Sequence, residues 1–289
     1  MSKPASNSSL DWKVFVTPAI ATVSDDLPPG ETARMWSPTS SILICGERDA
    51  ILVDTPATIA QATALADWVE KSEKNLTTIY TTHGHGDHFF GNGILLERFR
   101  GAKAIATPKV TEMMRKQTSP QVMAGLWNKR FPGLIPKNIV FAEQLEGDTL
   151  HLEGHELVVV DVGHTDTDDS TCLYVPSVGL VVAGDLAYND VHQYFAESLT
   201  HDKRMEWVAA LDKVEALKPR VVIAGHKRET NSDGPNIINE TRHYILDFDR
   251  LIDKTSTTAE LYDAMLSLYP DRLNRGALWG SARAIKGSR

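Results

Sequence analysis

The sequence predicts an α/β fold in which two mixed β-sheets pack face to face with helices on their outer sides, an αββα sandwich. Apolar runs of strand character are followed by helical stretches, and that order then repeats in the second half. Four of the runs, TTIYTT, ELVVVDVG, LVVAG and RVVIAG, lead directly into imidazole or carboxylate side chains. Polar chemistry placed repeatedly at strand ends suits loops gathered along one rim of a rigid scaffold. No close internal repeat marks the two halves as duplicates.

Residues 1–9 are rich in Ser and Asn and are expected to be disordered, leaving 10–289 as a single domain. From Trp12 to Asp54 the pattern is strand and turn. SILICG and AILVD form a hairpin around Glu47-Arg48-Asp49. Residues 57–74 have helical apolar spacing without internal Gly or Pro. TTIYTT is a strand, GILLERFR opens a helix and AKAIATP is a short strand. A helical insert of two short helices and a loop is expected at about 108–138. Its Met, Trp, Phe and Leu residues are candidates to wall a pocket. Strands follow at IVFAE, TLHL, HELVVVDV, STCLYVP and GLVVAG; then come the helix EWVAALDKVEAL and the strand RVVIAG. C-terminal helices are expected over about 236–270, with Thr257 and Glu260 placed for a capping box.

Bulk properties exclude several classes. At 289 residues, 42% hydrophobic and 24% charged, the chain resembles an ordinary globular protein. A net charge of −8 argues against a nucleic-acid partner, whose binders carry basic stripes. No run approaches the ~18 apolar residues of a membrane helix, and the polar start of the chain has no signal core. Cys45 and Cys172 lie in apolar runs and read as buried thiols, so a cytoplasmic protein is expected.

The chemistry concentrates in His83-Gly-His85-Gly-Asp87-His88, His164, Asp185 and His226. Imidazole is the commonest metal ligand, and carboxylates add the charge that holds a second cation nearby. Two glycines let the first loop bend tightly. In an extended loop, side chains two apart share a direction and adjacent ones diverge. One loop can therefore send His83 and His85 to one ion, and Asp87 and His88 to another. His151, His155, His192, His201 and His243 match no ligand slot, although His192 follows Asp185 closely.

These motifs resemble the metallo-β-lactamase superfamily over roughly residues 40–230. The match runs from Asp54 through HGHGDH to Gly163-His164, Gly184-Asp185 and Gly225-His226. The resemblance implies His83, His85 and His164 on a first metal. It places Asp87, His88 and His226 on a second, Asp185 between them, and Asp54 orienting the loop. The cofactors implied are two divalent ions, zinc foremost. Such a pair lowers the pKa of a shared water from ~15.7 toward ~7, and Asp87 is the candidate proton shuttle. Dedicated β-lactamases of the superfamily lack the aspartate that Asp185 supplies, using Cys or Ser nearby, and His85 stands where the diiron flavoproteins carry Glu. The implied activity is hydrolysis of a small ester, lactone, thioester or amide, as in lactonases and glyoxalase II. Tyr188 completes the D-x-x-Y spacing of acyl-homoserine lactonases and is a second catalytic candidate. Two alternatives stay open: a mononuclear iron persulfide dioxygenase, and a non-catalytic metal-binding protein on the same fold. The partner expected is a small carbonyl compound, with no nucleic acid, no membrane, and a homodimer left open.

Overall fold

The structure is a computed structural model and describes residues 9–287. The expected tail at 1–9 therefore lies, except for Ser9, outside the described residues. The first sheet runs in the order β1 (Asp11–Val16), β4 (Ser40–Cys45), β5 (Asp49–Val53), β6 (Asn75–Tyr80), β7 (Lys103–Ala106) and β8 (Glu143–Gln144). The second runs β13 (Val221–Lys227), β12 (Leu180–Asn189), β11 (Ser170–Val175), β10 (His155–Gly163), β9 (Thr149–Leu152). Both are mixed: β1, β4 and β5 are antiparallel while β5 to β8 are parallel, and only β12·β13 is parallel in the second sheet. A separate ribbon pairs β2 (Ile20–Thr22) with β3 (Arg34–Trp36).

Strand alternation builds the layers. Ile51 and Val53 of β5 face the second sheet with Ile42 and Ile44 of β4, against Leu173, Val175, Val182 and Ile223. Their neighbours Leu43, Cys45, Ala50 and Leu52 face outward under α1 (Ile59–Glu70) and α2 (Asn92–Arg98). On the second sheet, Val181 and Ala183 turn outward instead. They are covered by α6 (His201–Glu215), α7 (Asn236–Ile252), α8 (Thr258–Leu268) and α9 (Arg275–Lys286). Every one of these core strands is apolar on both faces because both faces are covered. Cys45 and Cys172 are free and buried.

Local signals explain most boundaries. Thr58, Thr107, Thr200 and Thr257 accept from the backbone N–H three residues on, capping α1, α3 (Pro108–Gln117), α6 and α8. Glu260 completes its half of the box one residue early, taking the N–H of Ser256 rather than that of Thr257. The hairpin turn at Glu47-Arg48-Asp49 is clasped from the second sheet, where Glu153 accepts all three N–H groups at 2.6–2.8 Å. Three expectations need correction. IVFAE contributes only Glu143 to a strand, beside β7. The insert is more helical than expected, with α3, then α4 (Pro120–Val122), a π-turn (Met123–Trp127) and α5 (Asn128–Arg130) in succession. The C-terminal helices extend beyond 270 through α9. No helix among the described residues is long and apolar enough to cross a membrane.

Candidate metal centre

The loop after β6 carries His83 and His85, and a short 3₁₀ turn, Gly86–His88, presents Asp87 and His88. Asp185 and His226 sit inside β12 and β13 rather than after them. The pairing of these two strands is irregular between Gly184 and Tyr188. A bulge of this kind re-aims side chains toward a site. A side chain at Gly225 would collide with the Asp185 carboxylate, so only glycine lets the two strands pass there.

Four imidazoles are held alike: one nitrogen is fixed by an outer partner and the other faces the centre. His83 Nδ1 lies 3.0 Å from Thr82 Oγ1, which itself donates to Asp54 Oδ2 and so accepts from the ring. His88 Nδ1 donates to Asp54 Oδ2 at 2.9 Å, and His226 Nδ1 to the Pro38 carbonyl at 2.8 Å. His85 Nε2 meets Glu197 Oε1 at 3.0 Å, leaving Nδ1 to face Asp166 Oδ2 at 2.9 Å. Outer partners of this kind fix the tautomer and aim the inner lone pair at a cation.

Two sets of ligand atoms result, each with its members within 4.8 Å of one another: His83, His85, Asp166 and Asp185, and Asp87, His88 and His226. Two bonds of ~2.1 Å to one ion span at most ~4.2 Å, so small shifts suffice. Asp185, a member of the first set, also reaches the second, with Oδ2 3.0 Å from His226 Nε2 and Oδ1 3.3 Å from His88 Nε2. Tyr188 donates its hydroxyl to Asp185 Oδ2 at 2.8 Å. Trp36 Nε1 donates to Asp87 Oδ2 at 2.8 Å.

The donor set fits a pair of cations. Among the described residues His83 Nε2 is buried without a hydrogen-bond partner, at a cost of about 1–3 kcal/mol. His88 Nε2 and Asp185 Oδ1 face only each other, at 3.3 Å, and a bound cation would serve all three. The electrostatics agree. Burial opposes charge on His88, yet Asp185 and Asp54 hold its pKa up at about 10. Burial likewise opposes charge on His85, and Asp166 and Glu197 raise its pKa well above the usual range. Burial would raise Asp185, but His226 and His88 hold it well below the ordinary carboxylate value. Protons occupy positions that a divalent ion would take over.

His164 does not join this cluster. Its Nδ1 lies 2.7 Å from Asp168 Oδ1 and its Nε2 2.8 Å from Ser198 Oγ, and its ligand atoms group with Asp168 and Glu206 instead. In the structure Asp166, 1% exposed, rather than His164 lies with His83, His85 and Asp185. Glu197 and Thr167, whose hydroxyl donates to Glu197 at 2.7 Å, were also not anticipated. No sequence signal marks Glu197. His192 is buried with Nδ1 against the Tyr244 hydroxyl at 2.7 Å and belongs to neither set. Lys227 and Arg228 are neutralised by Asp233 and Asp190.

The cluster opens into a cavity of about 510 Å³. Its walls come from β3, the 108–131 segment and α9. The Met- and Trp-bearing insert thus does form a wall, through Gln117, Leu126, Trp127 and Arg130.

Residues 34–226 match the family described as Metallo-beta-lactamase superfamily. The chain belongs to that superfamily. Among relatives, it is 24% identical over 222 residues to the Metallo-beta-lactamase type 2 of Bacteroides fragilis, covering 76% of this chain and 78% of the other. In fold it is similar to a metallo-beta-lactamase family protein from Thermus thermophilus. There the TM-score is 0.62 at 20% identity, over 95% of this chain and 92% of that one. The metallo-beta-lactamase of Pontibacter korlensis gives a TM-score of 0.56 at 16% identity, with 81% and 100% covered.

Proposed function

We propose that this chain is a binuclear metallohydrolase that cleaves a small ester, lactone, thioester or amide. The observation that carries this reading is the shared posture of His83, His85, His88 and His226, each with one nitrogen fixed outward and one aimed at buried carboxylates. His83, His85, Asp166 and Asp185 would hold one ion, and Asp87, His88 and His226, with Asp185 between, the other. Zinc suits N/O donors of this kind. Bound there, a divalent pair supplies Lewis acidity and lowers the pKa of water.

The protein's own groups do the rest. Trp36 holds the Asp87 carboxylate at the cavity wall, where it can carry a proton to the leaving oxygen, nitrogen or sulfur. Tyr188 holds Asp185 between the two sets and so acts as a positioning residue. Water adds to the carbonyl carbon, the carbon–leaving-atom bond breaks, and the products are an acid and an alcohol, thiol or amine. The relatives are named β-lactamases, so β-lactams belong among the substrates tested. The carboxylate at position 185 favours other carbonyl compounds.

The test is metal-replete protein assayed on a lactone, a thioester, a β-lactam and a phosphodiester, with metal content measured on the same sample. About two ions per chain and turnover of a carbonyl compound support the reading. About one iron per chain, or no hydrolysis by a doubly loaded sample, would overturn it.

A further inference from the structure

The cavity wall away from the metal centre carries three arginines, Arg34, Arg130 and Arg283. Two of them share one carboxylate. Asp26 accepts from Arg34 Nη1 at 2.8 Å and lies 2.6 Å from Arg283 Nη1, and it also takes the indole N–H of Trp279 at 2.7 Å. Arg34 further donates to the Gly276 carbonyl at 2.8 Å. Arg130 is different. Among the described residues it forms no salt bridge, and its Nη1 is out of reach of solvent and donates to nothing. An unpaired charged donor shielded from water is costly to maintain. Burial lowers the pKa of Arg130, while the Asp26 carboxylate that Arg34 and Arg283 already share acts in the opposite direction from a distance.

Its place relative to the chemistry follows from the fold. Arg34 and Trp36 are two apart on β3 and so face the same side, about 7 Å apart along the strand. Trp36 donates to Asp87 of the metal centre, and its ring packs against Trp127 at 5.4 Å and Phe131 at 5.1 Å. Arg130 is held between those two aromatics in sequence, and its own carbonyl is pinned by the N–H of Val23 at 3.0 Å. The cavity thus has a reactive end, an aromatic wall and a cationic end where, among the described residues, three arginines face the single carboxylate of Asp26 and Arg130 is not in contact with it.

We propose that Arg130 is an anion-recognition residue, and that the substrate is a carbonyl compound bearing a carboxylate remote from the bond that is cut. This rests on the hydrolase reading above for its reactive end, and on Arg130 alone for its charged end. A guanidinium pairs a carboxylate through two parallel N–H groups, which also orients the ligand; with Nη1 shielded, Nε and Nη2 are the pair left for it.

Two experiments separate these parts. Trp36 and Trp127 line the cavity, so tryptophan fluorescence reports occupancy when metal-replete protein is titrated with phenylacetate or its neutral isostere phenylacetamide. The wild type should bind phenylacetate more tightly. R130Q should lose about 10- to 100-fold in phenylacetate affinity with phenylacetamide and metal content unchanged. R130K should recover part of the loss. The second arm compares turnover of 4-nitrophenyl hydrogen succinate and 4-nitrophenyl butyrate. R130Q should raise KM for the first only, leaving kcat alone. Equal binding of acid and amide by the wild type, or undiminished phenylacetate affinity in R130Q, would overturn the proposal. Intact charge discrimination without turnover of either ester would uphold Arg130 and count against the hydrolase reading.

Discussion

Asp166 and His164 compete for one role, and substituting each decides between them. In Asp166→Asn the first ion loses a buried charged donor that sits 2.9 Å from His85 Nδ1. Loss of a mere outer partner costs ~10- to 100-fold in metal affinity, so losing a direct donor should exceed ~100-fold, at least ~2.7 kcal/mol. In His164→Ala the affected bonds are those to Asp168 and Ser198. The Asp168 side chain is 58% exposed and already held by Lys203, so that bond contributes little. The Ser198 bond is buried, and its loss with the imidazole costs about 1–2 kcal/mol of folding stability. The assay is elemental analysis after dialysis against buffered free zinc, paired with urea unfolding. Asp166→Asn should retain about one ion with near-normal stability when metal is absent. His164→Ala should keep two ions and unfold earlier. The reasoning is refuted if His164→Ala sheds an ion while Asp166→Asn keeps both.

Three further outcomes are expected. Asp54 has φ +62° and accepts from the Thr82 N–H, the Thr82 hydroxyl and His88 Nδ1. Asp54→Ala should cost about 2–4 kcal/mol in urea unfolding and ~10- to 100-fold in metal affinity. Asp54→Asn, which tolerates the left-handed backbone, should lose less; equal losses would rule out the hydrogen-bond account. Tyr188→Phe removes the hydroxyl bond to Asp185; kcat should fall about 10-fold with two ions retained, whereas a rise in KM alone would assign Tyr188 to substrate contact. Burial pushes the His192 imidazole down to about 3, helped by Arg272 and Arg275. The unfolded chain takes up a proton near the ordinary histidine value that the folded chain refuses. Stability should therefore fall as pH drops through ~6.5 toward ~3, by up to ~1.4 kcal/mol per pH unit. His192→Gln removes this contribution, so the stability gap between variant and wild type should narrow from pH 7 to pH 5 in metal-free unfolding curves; parallel curves would contradict the shift.

Much of this architecture was legible because its chemistry is local. HGHGDH packs four donors into six residues, and the strands flanking Asp185 and His226 are apolar on both faces, as covered strands must be. His164 follows a strand after glycine as His226 does, yet lies apart from the cluster; the register of β10·β11 shifts between Asp161 and Gly163 just before it, with Gly163 at φ +85°. A slip of one residue reverses which side chains face inward. Glu197 and Ser198 reach this region from a loop over thirty positions downstream, a proximity no local pattern encodes. Helix α9 was missed because Gly276 and Gly280 interrupt its periodicity. Both are small where Arg34 and the Met35 carbonyl press against the helix, at 2.6–3.0 Å from the positions a methyl group would take. IVFAE failed as a strand for a tertiary reason: beyond Glu143 it finds no neighbour to pair with.

The donors come from both sides of the sandwich: His83, His85, Asp87 and His88 follow the first sheet, while Asp166, Asp185 and His226 belong to the second. Neither layer holds a complete set, so an ion seated here rivets one layer to the other. It would add to direct ties already there, since Thr171 of the second sheet donates its N–H and hydroxyl to the Thr82 carbonyl beside His83, while Glu153 clasps the far edge. Cation supply would therefore bear on how firmly the two layers are joined as well as on chemistry.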